Sequence, residues 1–545
     1  MKRIIVFALC MIAMQLGASL EQEKPLVVVI PAYNSAQWYK KNLDSIFSQK
    51  YGNYRVIYID DCSTDGTYEL VMQYVHECGQ EHRVTIMRNE VNQGIFANHY
   101  RAVRQCHDYE IVLNVDSDDW LVDDQVFNKV NQAYMDPNIW MTYGQFKSWP
   151  EDKAGFCKRS PQHVVEHNAY REFTWRASHL RTFYAWLFKR IKLKDCIYKD
   201  GMYRLCADMV MMYPMLEMAG DRHLHVMSDV LYVYNESEAK PCYGEKYLSQ
   251  LHLSREIRNG TKYTPLADDD SGPALRPDNT GVSIVVESHS RPIQLYALLD
   301  SLQENGKNIA SIRVLYEVES PEVEVAYQQL YQQFTEVEFT RIMGGHHFKS
   351  AVLEELQSSP ASYIAFTSDE LVLHKPLDFK ECIDWLEYTQ ARAYYPALGK
   401  NICFTESLER EQAQPPFIFL DSDMYAWQFK NGEHDWRCFM CTHLALYRKS
   451  DIRAAVSDVY FNSFAQLSSL LAHHYIEADA VGLCSAVSTV MQPVYTGQRV
   501  SPDDLCELFN YGFKIDVGAL GAITARSLKC QVRPLLKPRA EKSYA

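Results

Sequence analysis

An α/β chain, built as two tandem copies of a mainly parallel sheet flanked by helices, is the fold class the sequence predicts. Three observations lead to it. Short apolar runs rich in branched residues recur and end in polar clusters, as buried parallel strands entering loops do. Each cluster precedes a segment with apolar residues at helical spacing. The same grammar resumes after a polar, Asp- and Pro-containing stretch at 264–281, and 545 residues are enough for two domains.

The first run, Leu26 to Ile30, stops at Pro31-Ala32-Tyr33-Asn34, and Leu43, Ile46 and Phe47 then mark a helix within 38–49. The second, Arg55 to Ile59, ends in Asp60-Asp61-Cys62-Ser63-Thr64-Asp65-Gly66-Thr67 and leads into an apolar-periodic segment to Val75. The third, Val84 to Met87, opens onto Arg88-Asn89-Glu90-Val91-Asn92-Gln93-Gly94. The fourth, Ile111 to Val115, delivers Asp116-Ser117-Asp118-Asp119. In parallel sheets ligands sit outside the carboxyl ends of the strands, where these clusters fall. Several carboxylates at such an end suit a hard divalent cation that shares its oxygens with a phosphate-bearing ligand. An acidic turn capping the next helix is the alternative reading.

PAYN, IDDCSTDGT, NxG and DSDD, in this order and spacing, resemble the inverting GT-A glycosyltransferases of family 2, from about Pro25 to Glu236. The resemblance implies a nucleotide-diphospho-sugar donor, most often a UDP-sugar, with Mn²⁺ or Mg²⁺, and a hydroxyl acceptor on a glycan, lipid or protein. It assigns Pro31 and Tyr33 to the nucleotide pocket, with Tyr33 bordering the base, and Asp61 to the uracil ring. Asp116 becomes the leading carboxylate of a DxD-like element; Asp118 and Asp119 serve the ribose, diphosphate and metal. Asn92 and Gly94 match the NxG, although a Gly there equally serves close backbone approach or positive φ.

Inverting transfer needs a base for the acceptor proton. By the same resemblance this is Asp208, in LCADMVMMYPMLEMAG, a motif opening a helix that runs to Gly220. The family usually has a Glu before that Asp; here Ala207 stands there, and helix capping is the alternative role. Glu217, nine residues on, falls on another side of the helix. HLRTF at 179–183, with WMTYGQF at 140–146, resembles a bacterial and viral subset of the family. Its His179 and Arg181 are candidates to help the leaving diphosphate; the alternative is an Arg in an aromatic-rich amphipathic helix, paired with a surface carboxylate.

Lys plus Arg total 55 against 69 Asp plus Glu, a net charge of −14. Such a chain offers a dianionic donor no bulk attraction, so a cation bridging carboxylates and diphosphate has a job to do. The balance also argues against nucleic acid as a partner. The basic residues Arg533, Lys537, Arg539 and Lys542 read as a short solvated tail within 521–545.

The first domain is expected over 25–255, a linker over 264–281 and a second GT-A-like domain over 282–520. In the second, Val282 to Glu287, Ile312 to Tyr316 and Tyr363 to Phe366 read as strands, the last ending in Thr367-Ser368-Asp369-Glu370. Its first loop has no Tyr-Asn pair and its acidic cluster lacks the leading Asp. A non-catalytic or acceptor-positioning role is expected, with a metal on Asp369 and Glu370 left open. Trp427 and Trp436 are core aromatics or sugar-holding faces.

Lys2-Arg3, the apolar run Ile4 to Leu16 and Gly17-Ala18-Ser19 have the three regions of a signal peptide over 1–20. The run is short for a bilayer span, so the protein is expected to be exported, or membrane-associated only through this segment, on the cytoplasmic face if uncleaved. Fifteen scattered cysteines include one C-x-x-C, Cys438 to Cys441, without the second pair of a structural zinc site. The sequence thus points to a metal-assisted inverting glycosyltransferase, or alternatively to a sugar- or nucleotide-binding protein that kept the fold without turnover.

Overall fold

The computed structural model describes residues 23–237, 245–270, 272–273, 281–405, 408–472, 479–495, 502–532 and 536–539. The expected signal or anchor segment, most of the linker's second half, Arg533 and Lys542 lie outside them. The chain divides into two compact units, Met1–Tyr198 with Met202–Ala274, and Lys199–Gly201 with Leu275–Ala545. Among the described residues no helix is long and apolar enough to cross a membrane.

In the first unit the apolar runs become strands. β1 (Leu26–Ala32) is buried along its whole length and lies parallel to β2 (Tyr54–Asp60) and β4 (Ile111–Asn114); β3 (Val84–Arg88) extends the parallel set beyond β2. Burial on both faces explains why these runs are continuously apolar instead of alternating. The sheet is completed by β5 (Trp120–Leu121), β6 (Met141–Trp149), β7 (Arg181–Tyr184) and β8 (Leu224–Asn235), in the order β3-β2-β1-β4-β7-β6-β8-β5. Helices α1 (Tyr39–Phe47), α2 (Thr67–Glu77) and α3 (Ile95–Arg104) follow β1, β2 and β3.

The segment with HLRTF is not helical. β7 pairs antiparallel with β4 on one side and β6 on the other, so Arg181 sits opposite both Asn114 and Tyr143. Thr182, Phe183 and Tyr184 are strand-favouring residues, and two flanking strands satisfy the backbone. Arg181 therefore enters the interior instead of a surface pair.

The second unit repeats this plan. Its strands are β9 (Val282–His289), β10 (Ile309–Glu317), β11 (Glu338–Arg341), β12 (Tyr363–Ser368), β13 (Ala393–Gly399), β14 (Ile418–Asp421), β15 (Met424–Gln428), β16 (Leu446–Arg448) and β17 (Val481–Ser485). They run β11-β10-β9-β12-β16-β13-β17-β15-β14. The first seven match the first seven of the other sheet in polarity: four parallel strands, an antiparallel fifth, then two parallel to one another. Even a loop detail recurs, since Gly94 (φ 93°) and Gly344 (φ 98°) each precede the helix after the third strand. The stretch expected as a tail is partly built in: Lys529–Val532 pairs with Val490–Tyr495, and Leu536–Pro538 with Phe513–Ile515.

Candidate active site

The loops at the carboxyl ends of β1, β2 and β4 are laced together. Asn34 accepts from the Thr64 amide (2.9 Å), its own amide donates to Ser63 Oγ (2.9 Å), and the Ser35 amide donates to Thr67 Oγ1 (2.8 Å). Ser35 and Ser117 share a 2.6 Å hydroxyl contact, tying the first loop to the acidic turn. Pro31 is buried within β1, whereas Tyr33, just beyond it, is 53% exposed and open to a ligand.

Asp61 is almost wholly buried, and its carboxylate accepts from Asn89 Nδ2 (2.7 Å), the Gln93 amide (2.8 Å) and the Gly94 amide (2.8 Å). Asn92 donates to the Asp61 carbonyl (3.3 Å) and accepts from Arg204 (3.2 Å). The NxG segment and Asp61 thus shape one another; in this structure the carboxylate braces that loop. Gly94 is required twice, by its positive φ and because a Cβ would stand 3.3 Å from Arg204 Cγ.

Asp116 to Asp119 form a tight turn closed by the Asp119 amide on the Asp116 carbonyl (3.1 Å). Residues three apart in such a turn come to one side, so Asp116 and Asp119 converge. Together with His179 they place one potential ligand atom each within 4.8 Å of the others, the one such three-residue group among the described residues. Asp118 is exposed and outside the group, whereas the sequence had paired it with Asp119. Asp119 is held by Tyr232 Oη (2.7 Å) and the Asn235 amide (2.7 Å), and burial, with Asp116 and Asp118 adding, drives its carboxyl well above the usual range. Burial also lifts Asp116, to about 6, with Arg181 opposing and Asp118 and Asp208 adding.

His179 stacks on Tyr232 (4.5 Å between centroids) and Tyr234 (5.5 Å). Burial and the neighbouring Arg181 push its pKa well below the ordinary value, so the ring stays neutral, and its buried Nδ1 has no hydrogen-bond partner. Two carboxylates and an imidazole kept neutral by burial are a donor set that fits a divalent cation. Arg181 Nη2 reaches His179 Nε2 (3.5 Å) and Asp208 Oδ2 (3.6 Å). Asp208 stands in the first turn of α4 (Ala207–Ala219), which ends at Gly220, and its side chain is 32% exposed. Glu217, on the same helix, is fully buried, paired with Arg171 (2.9 Å) and accepting from the Tyr263 amide (3.0 Å), so no acceptor reaches it.

Three contributors escaped the sequence reading. Tyr232 and Asn235 brace Asp119 from the end of β8, and Asn42 on α1 donates to the carbonyls of both Asp116 (2.9 Å) and Asp119 (2.8 Å). The alternation in VLYVYN marks a strand, but nothing in it names a partner.

Residues 27–204 match the family model Glycosyl transferase family 2. The first unit carries a family 2 glycosyltransferase domain. With it comes the GT-A fold that the motifs implied for this unit. This glycosyltransferase domain is 28% identical over 134 residues to Glycosyltransferase GlyA of Streptococcus pneumoniae, covering 24% of this chain and 18% of that protein. It is 32% identical over 97 residues to the putative teichuronic acid biosynthesis glycosyltransferase TuaG of Bacillus subtilis, covering 18% and 37%. It is 28% identical over 136 residues to the putative colanic acid biosynthesis glycosyl transferase WcaA of Escherichia coli, covering 24% and 48%. The chain thus spans less than half the length of each of these relatives. Among solved structures, Staphylococcus aureus TarS in complex with UDP-GlcNAc superposes with a TM-score of 0.32 at 19% identity, over 44% of this chain and 68% of that one.

The equivalent place in the second unit is built differently. The Val115 amide bonds the Val29 carbonyl (3.2 Å) and the Asp369 amide bonds the Glu287 carbonyl (3.0 Å); aligned on these, Glu370 stands where Asp116 does, and Arg291 where Tyr33 does. Arg291 pairs with both Asp369 (3.4 Å) and Glu370. A guanidinium thus occupies the carboxylates on which a metal had been left open. Trp427 and Trp436 are wholly buried, and Trp427 Nε1 donates to the Trp436 carbonyl (2.9 Å), so they are core.

Proposed function

We propose that the first unit is an inverting glycosyltransferase that moves a sugar from a nucleotide-diphospho-sugar, a UDP-sugar by preference, to a hydroxyl on a glycan acceptor. The observation that carries this reading is the convergence of Asp116, Asp119 and His179 beside the Arg181–Asp208 pair, at the strand-end mouth where α/β sheets hold ligands. The names of TuaG and WcaA, which refer to teichuronic and colanic acid biosynthesis, support a glycan as acceptor class.

In this mechanism Tyr33 borders the base and the loop braced by Asp61 seats the nucleotide. Asp116, Asp119 and His179 would hold Mn²⁺ or Mg²⁺, with Asp118 toward the diphosphate and ribose. Held there, the ion would supply positive charge against the negative charge building on the leaving diphosphate. Asp208 takes the proton from the acceptor hydroxyl as that oxygen bonds to the anomeric carbon and the carbon–diphosphate bond breaks on the opposite face. Arg181, buried behind Asp208, keeps that carboxylate aimed and shares its positive charge with the diphosphate side.

A panel of nucleotide-sugars, assayed for nucleotide release with and without glycan acceptors, tests this. Release that depends on acceptor and divalent cation, and is lost in Asp208→Asn, is expected. Binding of donor with no release across the panel would leave the retained-fold binding protein as the reading.

A further inference from the structure

The second unit has a cavity of about 500 Å³ at the carboxyl end of its own sheet, beyond Ala397 and Leu398 of β13. It lies at the edge of the Arg291 cluster, since Gln492, which lines it, donates to Glu370 Oε2 (2.6 Å). Its walls are chiefly apolar, from Ala397, Leu398, Ile402, Phe404, Leu408 and Leu528. That size and lining are typical of small-molecule pockets with a few placed polar groups.

Metal binding does not account for it. Cys438, Cys441, His434 and His443 line the cavity, yet they bring no three ligand atoms together as the first unit does. Burial raises both thiols, Cys438 to about 11, so they are protonated and uncharged near neutrality, and burial keeps His443 neutral. Asp435 turns its carboxylate to Thr405 (3.2 Å) and Gln412 (2.8 Å). Lys529 is the ammonium in the lining, and it pairs with no carboxylate among the described residues.

We infer that the second unit binds, without a metal ion, a small molecule with an apolar body and one anionic group, its body in the β13 cavity and its charge facing Lys529. Arg291 already supplies the positive charge that the first unit's acidic turn would take from a cation, so each sheet presents a different ligand site at the carboxyl ends of its own strands. A neutral apolar body fills walls that water satisfies poorly, and the anion meets the Lys529 ammonium of the lining.

The test uses the full-length protein in excess chelator, with anilinonaphthalene sulfonate as probe. Saturable single-site fluorescence is expected, weakened about tenfold or more by Ala397→Trp, which fills the cavity, and about fivefold by Lys529→Gln, with recovery in Lys529→Arg. Probe binding undiminished in Ala397→Trp of wild-type circular dichroism would overturn the site. Should Ala397→Trp fail to fold, Leu408→Trp at the half-exposed rim replaces it on the same terms. Equal loss of the uncharged analogue phenylnaphthylamine in Lys529→Gln would overturn the anionic part. A requirement for added Mn²⁺ would overturn the metal-free part.

Discussion

Arg181 Nη2 lies 3.6 Å from Asp208 Oδ2 and 3.5 Å from His179 Nε2, so a single guanidinium touches the candidate base and an imidazole of the candidate metal group. Arg181 is nearly buried while Asp208 is a third exposed. The carboxylate is thus the solvent-reachable member of the pair, as removing an acceptor proton requires. Asp208→Asn should lower acceptor-dependent nucleotide release by about 10²–10⁴-fold with donor binding retained. Stopped-assay kinetics beside donor calorimetry checks this; loss of donor binding of the same size would make Asp208 a structural cap instead.

Tyr232 is fully buried, and its hydroxyl donates to Asp119 while accepting from the Asp116 amide (3.0 Å). Tyr232→Phe keeps the stacked ring against His179 but removes the hydroxyl's bonds to both Asp119 and the Asp116 amide, and should weaken Mn²⁺ affinity by about 10–100-fold. Titration of Mn²⁺ against the thermal transition gives the readout.

Gly94→Ala should destabilise the first unit by ~1–3 kcal/mol, because φ 93° with ψ 157° is a region reserved to glycine. The Cβ contact with Arg204 adds to the cost and loosens Asn92. Urea unfolding followed by tryptophan fluorescence measures it, and donor KM should rise more than kcat falls.

Arg171→Ala should cost about 3–5 kcal/mol by leaving Glu217 as a buried charge without its partner. Below its lowered melting temperature the variant should turn over at the wild-type rate, which separates Glu217 from catalysis.

His99 on α3 is buried, and its pKa falls to about 3 through burial, with Arg181 adding to the effect. A histidine neutral in the fold but protonated below its ordinary pKa when unfolded contributes stability above pH 6.5 that is lost as pH falls toward 3. Between pH 7 and 5 this residue alone should lower unfolding free energy by ~2 kcal/mol. Chemical denaturation at the two values should show a smaller difference in His99→Phe.

The strands were legible because burial on both faces forces continuous branched runs, and their ends because Asp, Asn and Gly clusters mark where such runs stop. Asp116, Asp208 and the helix ending at Gly220 could therefore be placed. The partners could not. Tyr232 and Asn235 lie more than a hundred residues from Asp119, and the sequence carries no register linking β8 to the acidic turn. Arg181 looked helical because aromatic residues around it mimic an amphipathic face, whereas pairing with β4 and β6 decided its conformation. Arg291 was invisible for the same reason: its ion pairs with Asp369 and Glu370 cross 78 and 79 residues.

One amide, Asn42 Nδ2, grips the carbonyls at both ends of the acidic turn. The aim of two mutually repelling carboxylates is thereby dictated by a neutral side chain on α1, outside the pocket. Any ligand arriving at this turn meets a socket cast in advance, and shortening that amide should blur its outline without removing a single charge.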